Sequence, residues 1–300
     1  MKHVVSISLG SSGRNKKVTV KFGDEPILIE RIGVDGDEKK ARALFAEMDG
    51  KVDALGVGGV ELYILLKGKE YPLRSGLGLI KDVHQTPAVD GRGLKHTLER
   101  RVMQVIEPQL DEPVSPKKAM MTLGVDRIGM AESLVEAGYD TVFCDLMFGL
   151  GVPVPIYGLK SLYLLGRILL PVVGKLPISM IYPTGESQET ITPKYRKYFN
   201  YGPVIAGDFL YIRKHLPEDL NGRMIVTNTT TAADVELLKS RGLKYLVTTT
   251  PVFEGRSFGT NMLEAALTAY AGKGRPLTRT ELSALLDELN IKPTLQKLNE

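Results

Sequence analysis

The strongest constraint on this chain is a regular alternation of strand-like and helix-like segments through residues 119–271. Short β-rich runs, such as 204–206 and 224–227, are each followed by apolar residues at helical spacing. Strands that alternate with helices in this way pair in parallel, because each crossover helix returns the chain to the same edge of the sheet. The pattern therefore predicts an α/β fold with a Rossmann-like parallel sheet.

The first third of the chain is organised differently. Residues 1–110 contain several short strand-like runs and few helical segments, and a stretch rich in proline and charge follows at 107–118. Such a stretch is typical of a linker. We therefore expect an N-terminal mixed α/β domain over 1–110 and the Rossmann-like domain over 116–300, with a helical and loop insertion at about 150–200.

Charge and cysteine content exclude several kinds of partner. The chain has 39 basic and 35 acidic residues, a net charge of +4, and no run of five like charges. Non-specific binding to nucleic acid needs a concentrated basic face, so we expect no nucleic-acid partner. Cys144 is the one cysteine, and neither a CxxC nor an HxxxH spacing occurs. The sequence therefore predicts neither a disulfide nor a structural zinc site.

The most apolar stretch, residues 159–181, is too broken to span a membrane. Three cations and two prolines interrupt it, whereas a spanning helix needs about 20 apolar residues with few charges. We expect a buried or interface helix there, suited to a homo-oligomer contact, and no membrane partner. The N-terminus also lacks the pattern of a signal peptide. These features favour a soluble cytoplasmic protein.

The clearest chemical motif is the segment 122–146, in which a strand, a tight turn, a helix and a second strand follow one another. Gly124 and Gly129 match the first and third glycines of a dinucleotide-binding turn. Asp126 occupies the middle position, where a carboxylate would repel a pyrophosphate, and Arg127 could offset that charge. Asp145 ends the second strand, where an acidic side chain binds the ribose hydroxyls.

This motif predicts a nucleotide-type cofactor site but leaves its occupant open. Asp145 favours NAD over NADP, because an acid at this position opposes a 2′-phosphate. S-adenosylmethionine binds similar turns and has no pyrophosphate for Asp126 to repel. The remaining alternative is a plain βαβ element in which Asp126 caps the helix.

The segment 86–100, TPAVDGRGLKHTLER, resembles the Asn-Thr-Asp-Gly-x-Gly motif of the shikimate dehydrogenase family. The whole chain is similar to a group of bacterial proteins called quinate 5-dehydrogenases, through the blocks VDGDxxKA, DAxGxGG, TNTTTxxDVELL and GRSFGTN. The resemblance implies an NAD(P)-dependent oxidoreductase that acts on a small hydroxylated carboxylate.

The same resemblance implies catalytic residues. Asp90 matches the family's catalytic acid, which pairs with a lysine from an upstream Asn-Val-Thr-x-Pro-x-Lys motif. That upstream motif is absent here, so only half of the acid–base pair is matched. Lys194, in the polar loop 182–199, is a candidate for the missing base.

Further candidate binding residues follow predicted strands, because ligands of parallel sheets sit beyond the carboxyl ends of the strands. The loop 207–208 is one such place. Small polar side chains there can hydrogen-bond a polyol or a phosphate without adding charge. The candidates for the cofactor are Asn228, Thr229 and Thr230, and those for the substrate are Gly58, Gly59, Arg256 and Asn261.

Two other functions remain open on the sequence. An S-adenosylmethionine-dependent transferase would use the same turn at Gly124. A non-enzymatic protein that binds a nucleotide or metabolite would explain the incomplete acid–base pair.

Overall fold

A computed structural model describes residues 1–178, 191–253 and 256–300. The chain forms two compact units, each assembled from three stretches. The first comprises Met1–Leu94, Arg167–Gln188 and Gly259–Asn290, and the second comprises Lys95–Gly166, Glu189–Phe258 and Ile291–Glu300. These units differ from the sequential domains predicted over 1–110 and 116–300. The physical reason is that a helix late in the chain, 260–271, packs on strands that form at its start.

The first unit contains a five-stranded sheet with the order β2-β3-β1-β4-β7, in which only the β2–β3 pair is antiparallel. Its strands are β1 (Lys2–Ser8), β2 (Lys16–Phe22), β3 (Glu25–Gly33), β4 (Ala54–Gly58) and β7 (Ala88–Val89), beside a hairpin of β5 (Tyr63–Leu66) and β6 (Lys69–Pro72). Its helices are α1 (Glu38–Met48), α2 (Arg74–Leu79), α11 (Thr260–Ala271) and α12 (Arg279–Glu288).

The central strand of this sheet, β1, is buried from Val4 to Ser8 because helices cover both of its faces. Val4, Val5 and Ile7 of β1 are all buried, as is typical of a parallel strand. Helix α1 begins where Asp37 accepts a hydrogen bond from the Lys40 N–H at 2.9 Å. This cap satisfies one of the free donors of the first helical turn.

The second unit contains a seven-stranded sheet with the order β10-β9-β8-β11-β12-β13-β16. The strands are β8 (Lys118–Met121), β9 (Asp140–Phe143), β10 (Ile156–Tyr157), β11 (Val204–Gly207), β12 (Met224–Thr227), β13 (Tyr245–Thr248) and β16 (Thr294–Lys297), with a separate pair β14 (Val252–Phe253) and β15 (Arg256–Ser257). The five central strands are parallel, and β10 and β16 are antiparallel edges. The predicted α/β class with parallel sheets is confirmed.

Helices and 3₁₀ turns connect these strands. The helices are α4 (Val102–Ile106), α5 (Ile128–Glu136), α6 (Asp145–Leu150), α7 (Leu159–Val173), α8 (Arg196–Phe199), α9 (Phe209–Lys214) and α10 (Ala232–Ser240). The short helix α3 (Arg92–Lys95) precedes them, and the 3₁₀ turns are Ser12–Arg14, Glu99–Arg101 and Glu107–Gln109. Each central strand contributes one residue to a single buried cluster: Met120, Val142, Ile205, Ile225 and Leu246.

The strand order reverses direction once, between β8 and β11. After β8 the chain adds β9 on one side, and it then returns to add β11, β12 and β13 on the other. The crossovers on either side of this point run in opposite directions, and ligands of doubly wound sheets bind outside the carboxyl ends of the strands at such a point. This topology indicates where a ligand would bind in the second unit.

The apolar stretch predicted as a buried or interface helix forms α7 over its first fifteen residues. Half of the predicted polar loop 182–199, residues 182–190, lies outside the described residues. Within the described ranges, no helix combines the length and apolar character needed to cross a membrane.

Candidate functional site

The residues that follow β8 and β11 form a buried ionic network at the strand-order reversal. Arg127 lies at its centre. Its Nη2 donates a hydrogen bond to Asp208 Oδ2 at 2.6 Å, and its Nη1 donates to Glu99 Oε1. Asn228, after β12, donates from Nδ2 to the same Asp208 oxygen at 2.8 Å. The ends of three neighbouring strands are therefore joined by side chains.

The charges of this network strongly affect one another because they are almost removed from water. Glu99 is fully buried, and burial raises its pKa against the opposing effect of Arg127. Burial alone would lower the pKa of Arg127, but Glu99, Asp208 and Asp126 outweigh this effect and hold the pKa above its ordinary value. The guanidinium is thus held permanently positive between carboxylates, as such a buried group requires.

A second ion pair lies beside Arg127. Lys95 Nζ donates to Asp126 Oδ1 at 3.1 Å and to the Asp126 carbonyl oxygen at 3.2 Å. The Lys95 side chain is 6% exposed and that of Asp126 is 17% exposed. Burial lowers the pKa of Lys95, although Asp126 opposes this effect. Burial would raise the pKa of Asp126, but Lys95 and Arg127 lower it.

The network retains hydrogen-bonding capacity. Two buried oxygens, Glu99 Oε2 and Thr122 Oγ1, have no hydrogen-bond partner among the described residues. Thr122 directly follows β8 and lies beside Gly207, since a Cβ added to Gly207 would lie 2.1 Å from the Thr122 hydroxyl oxygen. Asp208 also keeps 16% of its side chain exposed. Polar groups of this kind are what a small hydroxylated ligand would engage.

The glycine-rich turn has an internal partner for its amides. Asp145 accepts hydrogen bonds from the Gly124 N–H at 3.0 Å and the Val125 N–H at 2.8 Å. Burial raises the pKa of Asp145 to about 6, although these two amides lower it. Asp145, the side chain predicted to bind a ribose, therefore accepts hydrogen bonds from the two amides that would face an anionic ligand.

Gly129 serves the packing of the chain. A Cβ at this position would lie 1.9 Å from the Lys95 carbonyl oxygen. The start of α5 is covered by the turn Glu99–Arg101, and Ile128 and Met130 are buried. A bound pyrophosphate needs the amides of a free helix N-terminus. The structure instead explains the glycine at position 129 by its close packing against the Lys95 backbone.

Asp90 lies in the first unit and is held by the backbone. Its carboxylate accepts hydrogen bonds from the Leu62 N–H at 2.7 Å and the Arg92 N–H at 3.1 Å. Glu264 is also buried there. Burial and, to a smaller extent, the charge of Asp90 raise the pKa of Glu264 to about 8. The predicted partner Lys194 is exposed and belongs to the other unit.

The predicted substrate residues Gly58, Gly59 and Asn261 lie together in the first unit. Asn261 Nδ2 donates to Ser6 Oγ at 2.7 Å, and a Cβ on Gly58 would lie 3.1 Å from that Nδ2. Gly59 has a φ of +75°, a left-handed backbone conformation that favours glycine. The loop thus makes room for Asn261. Arg256 begins β15 in the second unit, and its side chain lies outside the described residues.

Within the predicted Asn228–Thr230 loop, Asn228 is the residue that contributes a side chain to the ionic network. Asn228 Oδ1 also accepts from the Phe209 N–H at 3.1 Å, and Thr230 N–H donates to Ser257 Oγ at 2.8 Å. Thr229 is half-buried. The loop therefore positions Asn228 over the ends of β11 and β12.

Sequence reasoning missed Lys95 and Glu99. They stand four residues apart, a spacing that places two side chains on one face of a helical turn. That spacing in GLKHTLER was the available signal. Among the described residues, no group of three or more His, Cys, Asp or Glu side chains could hold a metal ion.

Comparison with known proteins gives a family assignment. Residues 3–90 match the domain of unknown function DUF8753, and no curated protein matches the chain. Similar solved structures include the crystal structure of a galactofuranose binding protein, with 11% identity, a TM-score of 0.39 and coverage of 99% of this chain and 95% of that one. Residues 93–298 match the domain of unknown function DUF8754. Since this match spans more than half of the chain, the chain belongs to the DUF8754 family.

Proposed function

We propose that this chain is an enzyme that transfers a proton to or from a small hydroxylated metabolite at the carboxyl edge of the seven-stranded sheet. The acid–base pair is Lys95 and Asp126. The observation that carries the proposal is the position of this buried pair at the strand-order reversal, where ligands of doubly wound sheets bind. We also propose that the second unit is Rossmann-like in this sense.

The two members of the pair have different roles. Lys95 is the proton donor and acceptor, because a lysine whose pKa is lowered by burial exchanges a proton nearer to neutral pH. Asp126 orients the ammonium through its 3.1 Å hydrogen bond. Its exposed fraction also lets it accept a hydrogen bond from a substrate hydroxyl.

The neighbouring network supplies substrate binding. Asp208 and Asn228 present a carboxylate and an amide at the same edge, and both groups hydrogen-bond hydroxyls readily. Arg127 holds Asp208 in place through a short, charge-assisted hydrogen bond. We therefore propose a polyol or a hydroxylated carboxylate as the substrate class.

Oxidation of such a hydroxyl with NAD is the narrower form of this proposal, and NADP is less favoured. It is supported by the resemblance to quinate and shikimate dehydrogenases. The contacts of Asp145 and Gly129 argue against a pyrophosphate at the start of α5, so the dinucleotide would need another position. An S-adenosylmethionine-dependent transferase stays an alternative prediction. Cytoplasmic localisation also stays a prediction.

A metabolite-binding protein without activity is the second candidate. It is favoured by the internal pairing of Arg127 with Glu99 and Asp208, which leaves a rigid network suited to recognition. In this case the Lys95–Asp126 pair would only bind the ligand.

The test is a metabolite screen followed by turnover. Polyols and hydroxylated carboxylates are tested for thermal stabilisation, and stabilising compounds are then assayed for conversion with and without NAD, NADP or S-adenosylmethionine. We expect Asp126→Asn to lower turnover by 100-fold or more, the usual range for acid–base catalysis. Glu47→Gln, the same chemical change at an exposed position, is the matched control. Conversion by Asp126→Asn at the wild-type rate would reject the role of the pair.

A further inference from the structure

Helix α7 exposes an apolar ridge on the side that faces away from its buried residues. Leu164, Ile168 and Val172 are 59%, 62% and 62% exposed. They recur every four residues and so line one face of the helix. Leu162 and Leu170 are buried on the opposite side. The helix is therefore already packed through one face, and its exposed apolar face is a separate feature.

The ridge lies within the main concentration of exposed apolar surface in the described chain. Apart from Met1, the large hydrophobic side chains that are strongly exposed all fall between positions 150 and 172: Leu150, Val152, Val154, Tyr157, Leu164, Ile168 and Val172. Exposed apolar residues scattered singly are ordinary, but a concentration of them marks an interaction surface.

The exposed area is suited to a protein–protein contact. Seven side chains, each roughly half exposed, offer on the order of 600 Å² of apolar surface, against about 800 Å² per partner in a standard interface. Flanking polar residues would supply the remainder. This segment alone can therefore provide most of one side of a dimer interface.

The spacing of the ridge residues allows a symmetric contact between two copies of α7. Two copies of α7 that cross about Ile168 would place each Leu164 near the partner's Val172 and pack the two ridges against each other. A two-fold contact of this kind uses the same patch on both copies. No acidic residue occurs between positions 146 and 185, and the exposed cations Lys160, Arg167 and Lys175 border the ridge.

We propose that the exposed face of α7, together with residues 150–157, is the contact between two copies of this chain. The bordering cations then meet like charges across the two-fold axis. Their repulsion is screened by salt, so self-association should strengthen as ionic strength rises. An acidic protein or an anionic membrane on the same face would give the opposite dependence on salt.

The test is sedimentation equilibrium of the full chain from 1 to 100 µM at about 0.05 and 0.5 M salt. We expect a dimer whose dissociation constant falls at high salt. Ile168→Glu should raise that constant at least 10-fold, because it places a buried charge at the centre of the contact. Thr280→Glu, which adds the same charge to an exposed position of α12, should leave it unchanged.

Three results would overturn the proposal. They are a wild-type chain that stays monomeric at 100 µM, a dimer that Ile168→Glu leaves intact, and a monomer that co-sediments with phosphatidylglycerol vesicles until Ile168→Glu releases it. The last would assign the face to a lipid surface. Circular dichroism melting of both variants confirms that they fold, since both positions are exposed.

Discussion

The Arg127 guanidinium lies 2.6 Å from Asp208 Oδ2, and this contact joins the chain after β8 to the chain after β11. The two strands are neighbours in the sheet, although Arg127 and Asp208 lie 81 positions apart in the sequence. Because the strand order reverses here, the contact holds together the strand ends at which we propose that the substrate binds.

Removing the Arg127 charge should strongly destabilise the second unit. Arg127→Met leaves Glu99 buried without its cation, and breaking a buried pair in this way costs about 3–5 kcal/mol. Urea denaturation at pH 7 measures the loss. Glu99→Gln in the Arg127→Met background should recover part of it, since the unpaired charge is then absent. Equal stability of the single and double variants would contradict the assigned pairing.

Gly129 should be intolerant of a side chain. In Gly129→Ala the added Cβ would lie 1.9 Å from the Lys95 carbonyl oxygen, so the backbone must move at a cost of about 1–3 kcal/mol. Gly149→Ala is the control, because its Cβ meets nothing nearer than 3.6 Å and it lies in helix α6. That variant should gain up to about 1 kcal/mol. A neutral Gly129→Ala would show that the contact with Lys95 is not tight.

The buried Glu264 should make stability fall as pH rises. Its pKa in the folded protein is about 8 against an ordinary value of 4.5. A raised pKa means that stability from the protonated carboxyl is fully present below pH 4.5 and is lost as pH rises through about 8. Glu264→Gln removes this dependence. The stability of wild type relative to Glu264→Gln should therefore fall by about 4 kcal/mol between pH 5 and pH 9, and a constant difference would reject the raised pKa.

Much of the second unit could be predicted from the sequence, because its strand–helix alternation is a local pattern. The strand β8, the helix α5 and the strand β9 all form within the segment 122–146 or at its borders. The helix at the start of the apolar stretch 159–181 was also predictable from the sequence. Periodicity and glycine positions carry such information within one segment.

The partners of the candidate site could not be predicted in this way. Asp145 has the spacing expected of a ribose ligand, but its carboxylate binds the amides of Gly124 and Val125. Arg127 meets Glu99 and Asp208, which are distant along the chain. Sequence spacing gives the distance along the chain, whereas these contacts depend on which strands become neighbours. The two compact units differ from the predicted sequential domains for the same reason, since each unit is assembled from distant stretches of the chain.

The pKa of Lys95 should depend on Asp126. Burial lowers the pKa of the ammonium and the Asp126 carboxylate opposes this effect. Asp126→Asn should therefore lower the Lys95 pKa further, by one unit or more if the pair contributes about 1.4 kcal/mol. NMR titration of ¹⁵N-lysine-labelled protein follows it, with Lys95→Met to assign the signal. An unchanged midpoint would mean that the two groups do not interact.

The most direct test of the proposed active site repeats this Lys95 titration with and without a metabolite that stabilises the protein. If the metabolite binds at the carboxyl edge of the seven-stranded sheet, the Lys95 signal shifts and its titration midpoint moves on binding. An identical Lys95 titration at saturating metabolite would place the ligand elsewhere and contradict the proposed role of the Lys95–Asp126 pair.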